Sequence, residues 1–191
     1  MKNSQPIKAV CFDVFGTLIS YGGQRTNPYR HLLLSPGIQG RLPFLTRNAP
    51  IEKFAIEIGR SHLLPTIRTE LDAEIGKLQL FPDIAETFDR LREQNLKIAV
   101  CSNLAYEYGA AVRKLLPNIT AHVFSYEIGF AKPHPAIYRT VCLALGLDPG
   151  EILFVGDSVR CDVQGPLQFG MQVHWLNRKS GRIEDFVIHL I

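Results

Sequence analysis

The 191 residues leave room for one substantial domain and a small insertion. Hydrophobic residues make up 46% and charged residues 20%, the balance of a packed protein and not of a disordered chain. The net charge is only +3, from 21 Lys and Arg against 18 Asp and Glu, and no basic run stands out; without the concentrated positive stripe of a nucleic-acid binder, no nucleic-acid partner is expected.

Met1–Lys8 is polar and does not read as a signal peptide, and no apolar stretch approaches the ~20 residues that span a bilayer. No membrane partner is therefore expected. Ile7–Phe12 is a short apolar run that stops at Asp13 and then Gly16-Thr17, the pattern of a buried parallel strand with polar residues at its carboxyl end. Residues 20–80 interrupt the alternation that follows. Their first half is loop-like, with Gly22, Gly23, Pro28, Pro36, Gly37, Gly40, Pro43 and Pro50; their second half predicts helices over Pro50–Arg60 and Pro65–Leu78. The segment is read as an inserted, mainly helical cap, with residues 1–19 and 81–191 forming the core. Arg25, Arg30, Arg41 and Arg47 make its first half basic, which suits an anionic substrate as well as a solvated surface. His31 and His62 have no partners at metal-ligand spacing.

Beyond the insertion, strands and helices alternate. Pro82–Gln94 predicts a helix with Pro in its first turn and Ile84, Phe88 and Leu91 on one face. Leu96–Cys101 predicts a strand running into Ser102-Asn103, and Tyr106–Leu116 a helix ending before Pro117. His122–Phe124 is a strand running into Ser125; Pro135–Leu145 is a helix stopped by Gly146. Ile152–Val155 is a strand running into Gly156-Asp157, Arg160–Phe169 a helix that Pro166 can kink, and Gln172–Leu176 a last strand. Ile183–Ile191 predicts a short helix or closing edge segment. The result is an α/β protein, a parallel sheet covered by helices on both faces. Cys11, Cys101, Cys142 and Cys161 are scattered, as expected of reduced thiols in a cytoplasmic protein.

Ligands of an open parallel sheet bind outside the carboxyl ends of its strands. That rule gathers Asp13, Ser102, Lys132, Asp157 and Asp162 at one place. A carboxylate, a hydroxyl, an ammonium and an acidic pair suit attack by Asp on phosphorus or carbon. Lys132 would neutralise the nucleophile and the transferring group, Ser102 would bind its oxygens, and Asp157 would hold a hard cation. Each residue also has a bland reading: Asp13, Asp157, Ser102 and Asn103 as caps of nearby helices, Lys132 as a solvated loop residue. His134, beside Lys132, is read as a loop residue or as a proton source.

Four stretches resemble the motifs of the haloacid dehalogenase superfamily. They are Phe12-Asp13-Val14-Phe15-Gly16-Thr17-Leu18, Cys101-Ser102-Asn103, Gly129-Phe130-Ala131-Lys132-Pro133, and Val155-Gly156-Asp157-Ser158 with Cys161-Asp162. They stand in the family's order, with Asp13, Asn103, Lys132 and Asp157 at successive offsets of 90, 29 and 25 residues. The resemblance covers all but the insertion and the tail. It implies a Rossmann-like core, a covalent intermediate on Asp13, and Mg²⁺ held by Asp13, the Phe15 carbonyl and Asp157. Asp162 would bind the metal through water or orient Lys132, and the insertion would be a mobile cap.

One residue departs from the pattern. The family's phosphatases usually carry a second Asp two residues after the nucleophile as general acid–base, a role worth ~10²–10⁴-fold; here the position is Phe15. An aromatic there resembles the branch that dehalogenates 2-haloacids without metal, whereas Asp157 resembles the phosphatases. Two uncompensated carboxylates side by side are costly, so the acidic site favours a Mg²⁺-dependent phosphatase of a small anionic metabolite. A 2-haloacid dehalogenase and a non-catalytic binding protein are the alternatives.

Overall fold

The computed structural model describes residues 5–33, 40–179 and 183. Strand β1 (Ala9–Phe12) delivers Asp13 and is followed by the two-residue strand β2 (Ile19–Ser20). Four helices come next: α1 (Arg30–Leu33), α2 (Leu42–Thr46), α3 (Ile51–Glu57) and α4 (Leu64–Ile75). Strand β3 (Gln79–Leu80) then pairs antiparallel with β2, so residues 20–80 leave and return through one short ribbon. The expectation that the first half of this segment is loop-like is corrected by α1 and α2. Pro43 lies in the first turn of α2, where its missing N–H is tolerated, and the helix buries Phe44.

The remaining chain alternates: α5 (Ile84–Glu93), β4 (Lys97–Ser102), α6 (Tyr106–Leu115), β5 (Ala121–Phe124), α7 (Ser125–Ile128), α8 (Pro135–Leu145), β6 (Ile152–Gly156), α9 (Gly165–Phe169) and β7 (Gln172–Trp175). The helix expected over Arg160–Phe169 is two elements: a π-type turn at Val159–Gln164, with Ser158 accepting the Cys161 N–H, and α9, with Pro166 in its first turn. A proline cannot donate to a preceding carbonyl, so an unbroken helix through Pro166 would lose a bond. The tail expected at 183–191 lies outside the described residues apart from Ile183, which is buried with its N–H 2.8 Å from Asp83 Oδ2.

The five main strands are all parallel, in the order β5-β4-β1-β6-β7. Side chains alternate between the two faces. Val10, Phe12, Ile98, Val100, Leu153 and Val155 join one apolar cluster with Phe88 and Leu91 of α5, Tyr108 and Val112 of α6, and Leu32, Phe44, Phe54, Ile67 and Leu71 of the 20–80 segment. Ala9, Cys11, Ala99, Cys101, Ile152 and Phe154 join the other, against Ile137, Tyr138, Val141 and Leu145 of α8. The small residues Ala9, Cys11, Ala99 and Cys101 let α8 lie close to the sheet. Cys11 is fully buried and burial pushes its thiol well above the ordinary range, a packing residue and not a nucleophile. Among the described residues no helix is long and apolar enough to cross a membrane.

The central strand β1 is flanked by β4, which leads outward to β5, and by β6, which leads the opposite way to β7. Strand order reverses there, and a crevice opens beyond the carboxyl ends of β1, β4 and β6.

Candidate active site

Asp13 follows β1 directly, its N–H held by Val155 O at 2.9 Å. The chain then turns tightly, with Leu18 and Ile19 both donating to Val14 O. Gly16 takes φ +82 in this turn, and a Cβ built on it would fall 2.4 Å from Asp157 Oδ2. The missing side chain lets the carboxylate that follows β6 lie against the loop that follows β1.

Lys132 is placed by a reciprocal pair with the residue beyond β4. Asn103 Nδ2 donates to Lys132 O at 2.9 Å, and Lys132 N donates to Asn103 Oδ1 at 2.7 Å. The Lys132 ammonium is buried, 2.7 Å from Asp13 Oδ1 and 2.6 Å from Asp162 Oδ1. Asp162 accepts the Ser158 N–H on its other oxygen at 2.9 Å. It packs so closely on Gly156 that a Cβ there would stand 2.5 Å from its Cγ. Asn103 therefore does not cap α6, whose N-cap is Ala105, and the cap of the turn after β6 is Ser158, not Asp157.

The charges are unbalanced. Carboxylate oxygens of Asp13, Asp157 and Asp162 lie within 4.8 Å of one another, so three acids face one ammonium. Burial, with the Asp162 and Asp157 carboxylates adding to it, pushes Asp13 up to about 6 against the pull of Lys132. Desolvation and then Asp162 raise Asp157, although its carboxylate remains open to solvent. Burial works against the Lys132 ammonium, but Asp13 and Asp162 outweigh it and hold its pKa well above the ordinary value. Lys132 stays charged and fixed. Both Asp162 oxygens are engaged, so among the three acids Asp13 and Asp157 have a free oxygen to offer a cation. Hard oxygen donors in an anionic cradle fit Mg²⁺.

Asp13, Phe15, Ser102, Asn103, Lys132, Asp157 and Asp162 all line one cavity of about 430 Å³. Ser102 is buried at the end of β4. Phe15 turns its ring into an aromatic cluster, stacked on Tyr21 (centroids 4.7 Å, planes 12° apart) and edge-on to Tyr108 at 5.6 Å. His134 is elsewhere: it caps α8 by accepting the Ala136 N–H and stacks on Phe130.

The opposite wall of the cavity comes from residues 20–80. Arg25 and Arg41 line it, with Tyr21, Asn27, Tyr29, Phe44 and Leu45. The other two arginines of the segment's first half are engaged elsewhere: Arg30 forks onto Glu70 at 2.7 Å and Arg47 onto Glu57 at 2.7 and 2.8 Å. Sequence reasoning did not single out this aromatic wall or Asn27. They come from an irregular stretch with no periodicity, and only the fold brings them to Asp13.

The sequence model described as haloacid dehalogenase-like hydrolase matches residues 7–170. Over 117 residues the chain is 33% identical to a glyceraldehyde 3-phosphate phosphatase of Methanopyrus kandleri, covering 60% of this chain and 49% of that protein. Over 137 residues it is 30% identical to a haloacetate dehalogenase of Moraxella, covering 63% of this chain and 61% of that protein. The chain thus spans about half the length of the curated relatives it matches. A solved structure of a family enzyme from Bacteroides thetaiotaomicron superposes with a TM-score of 0.73 at 18% identity, over 95% of this chain and 99% of that one. At that identity the likeness speaks to the fold alone.

Proposed function

Since the chain belongs to the haloacid dehalogenase-like hydrolases, we propose that it is a Mg²⁺-dependent phosphatase of a small anionic substrate, with Asp13 as nucleophile and residues 20–80 as its cap. The observation that carries this reading is the local charge count: three carboxylates within 4.8 Å of one another share one buried ammonium and pair with neither arginine of the opposite wall, a deficit of two positive charges at the cluster. A divalent cation removes that deficit, and a dehalogenase working without metal would leave it standing.

In this reading Lys132 fixes one oxygen of Asp13, and the other attacks phosphorus. Asp162 and Asn103 are positioning residues, holding the Lys132 ammonium and backbone respectively. Ser102 faces the transferring group from the end of β4. Mg²⁺, held by Asp13 and Asp157 with the Phe15 carbonyl, would supply electrostatic stabilisation of the phosphoryl oxygens. Attack forms an Asp13–phosphorus bond and releases an alkoxide, which then takes a proton; water later cleaves the acyl phosphate. Phe15 has no proton to give, so the donor is solvent or the substrate itself.

Phe15 is also what favours a second reading, a 2-haloacid dehalogenase, because a departing halide needs no proton. Phosphate esters and 2-haloacids assayed with and without Mg²⁺ separate the two. Phosphate release that stops on chelation is expected; halide release that survives it would overturn the phosphatase.

A further inference from the structure

We propose that the substrate carries a second anionic group, a carboxylate or another phosphate, bound by Arg25 and Arg41 and separated from the scissile phosphate by a flat apolar spacer. The inference rests on the phosphatase reading for the scissile end, and on independent observations for the other.

First, among the described residues Arg25 and Arg41 make no ion pair, whereas Arg30 and Arg47 of the same segment are each paired with a glutamate. Guanidinium groups left without a carboxylate in the wall of a cavity are matched to an anion from outside. Second, the loop that presents Arg25 is built and not merely exposed. Buried Glu74 accepts the Thr26 N–H at 2.8 Å, the Thr26 hydroxyl at 2.7 Å and the Asn27 N–H at 3.1 Å. Arg30 grips Thr26 O from the other side at 2.6 Å. Within the clamp Asn27 takes φ +51, a left-handed conformation that asparagine tolerates better than other residues with a side chain. Third, the wall that carries the arginines is aromatic: Tyr21, Tyr29 and Phe44 line it, and Arg25 lies over the Tyr21 ring at 4.8 Å. A cavity of about 430 Å³ exceeds what the scissile phosphate alone would fill and lies within the roughly 300–1,000 Å³ of metabolite-sized sites.

The test uses phosphonates, which are not hydrolysed. Calorimetric titration of the full chain in Mg²⁺ buffer compares phenylphosphonate with its 3- and 4-carboxy derivatives and with the matching benzene bisphosphonates. At least one doubly anionic compound should bind about tenfold tighter than phenylphosphonate, the worth of a charge-assisted hydrogen bond. A larger gain from the carboxy compounds assigns a carboxylate; a larger gain from the bisphosphonates assigns a second phosphate. Arg25→Gln or Arg41→Gln should abolish the preference, and Arg47→Gln should keep it. Equal binding of all the compounds by the unmodified chain, or a preference that survives both arginine variants, overturns the proposal. The preference standing without hydrolysis of any phosphate ester would sink the phosphatase and leave the second-anion site intact. Hydrolysis without the preference would do the reverse.

Discussion

Replacing Phe15 by Asp places a carboxyl group where the family's phosphatases usually keep their acid–base. The cost follows from the aromatic packing that the substitution removes. Phe15 is partly buried and stacks on Tyr21 and Tyr108; two aromatic pairs at about 0.5–1.5 kcal/mol each come to about 1–3 kcal/mol. For a chain of this length that lowers Tm by about 2–12 °C, which a thermal melt reads directly. The gain depends on protonation. The new carboxyl would line the same cavity as Asp13 and Asp157, where burial first and like charges second raise a carboxyl pKa, as they raise that of Asp13 to about 6. It would then be part-protonated near neutrality and able to donate. A general acid is worth ~10²–10⁴-fold when fully poised, so a grafted one should raise kcat/KM on an alkyl phosphate by about tenfold or more. 4-Nitrophenyl phosphate should gain little, because its leaving group departs unprotonated. A folded Phe15→Asp protein with no gain on any alkyl phosphate would refute the missing-acid reasoning. Equal gains on both esters would refute it too, since a general repair of the site scales every substrate alike.

Asp13→Asn should abolish turnover with the melt unchanged within a few degrees, because the amide keeps the shape and loses the nucleophile; undiminished phosphate release would remove Asp13 from the chemistry. Asp157→Ala should weaken Mg²⁺ binding at least about tenfold by calorimetry at little cost in stability. Asp162→Ala should instead cost about 3–5 kcal/mol, because it strips a partner from the buried Lys132 ammonium; equal Mg²⁺ affinity for the wild type and Asp157→Ala would dismiss the metal. Glu74 gives a pH prediction. Burial works to raise its pKa, but hydrogen bonds from Tyr108, Thr26 and Asn27 override it and leave it below the ordinary value. Its stabilisation is therefore complete above the unfolded carboxyl pKa of about 4.3 and lost as pH falls through the lower folded one. Glu74→Gln should flatten the melting curve in that window and cost about 1.5–3 kcal/mol at pH 7; parallel Tm–pH curves for the two proteins would show that Glu74 does not titrate with unfolding.

The core was legible because its signals are local and redundant. Each apolar run stops at a polar residue, and the alternation that puts Phe12 and Val100 on one face and Cys11 and Cys101 on the other is written in the strands themselves. Asp13, Lys132, Asp157 and Asp162 could be gathered from sequence since parallel strands share a carboxyl edge. The reciprocal Asn103–Lys132 pair could not, as it joins two loops with no register between them. Helices α1 and α2 were illegible for another reason. At four and five residues they are too short to show a period, and they form because Leu32 and Phe44 find the sheet-side cluster, a tertiary gain no local pattern announces.

What links the two ends of the cavity is the first turn of α6. The segment Ser102–Ala105, which lines the cavity with Asp13 and Lys132, runs directly into Tyr106–Leu115. Two consecutive residues of that turn reach across to the 20–80 segment. Glu107 accepts the Tyr29 hydroxyl and the Ile51 N–H at the start of α3, and Tyr108 donates to Glu74 at 2.7 Å. Glu74 in turn holds the loop that presents Arg25. The path from Ser102 to Arg25 is a chain of short, buried or half-buried bonds, not a flexible tether. The position of the loop that presents Arg25 relative to Ser102 is thereby set by packing, and packed interiors stretch little. On the two-anion proposal, a substrate too short to reach from Asp13 to that loop would forgo one of its two anionic contacts, so the site would discriminate by length as well as by charge.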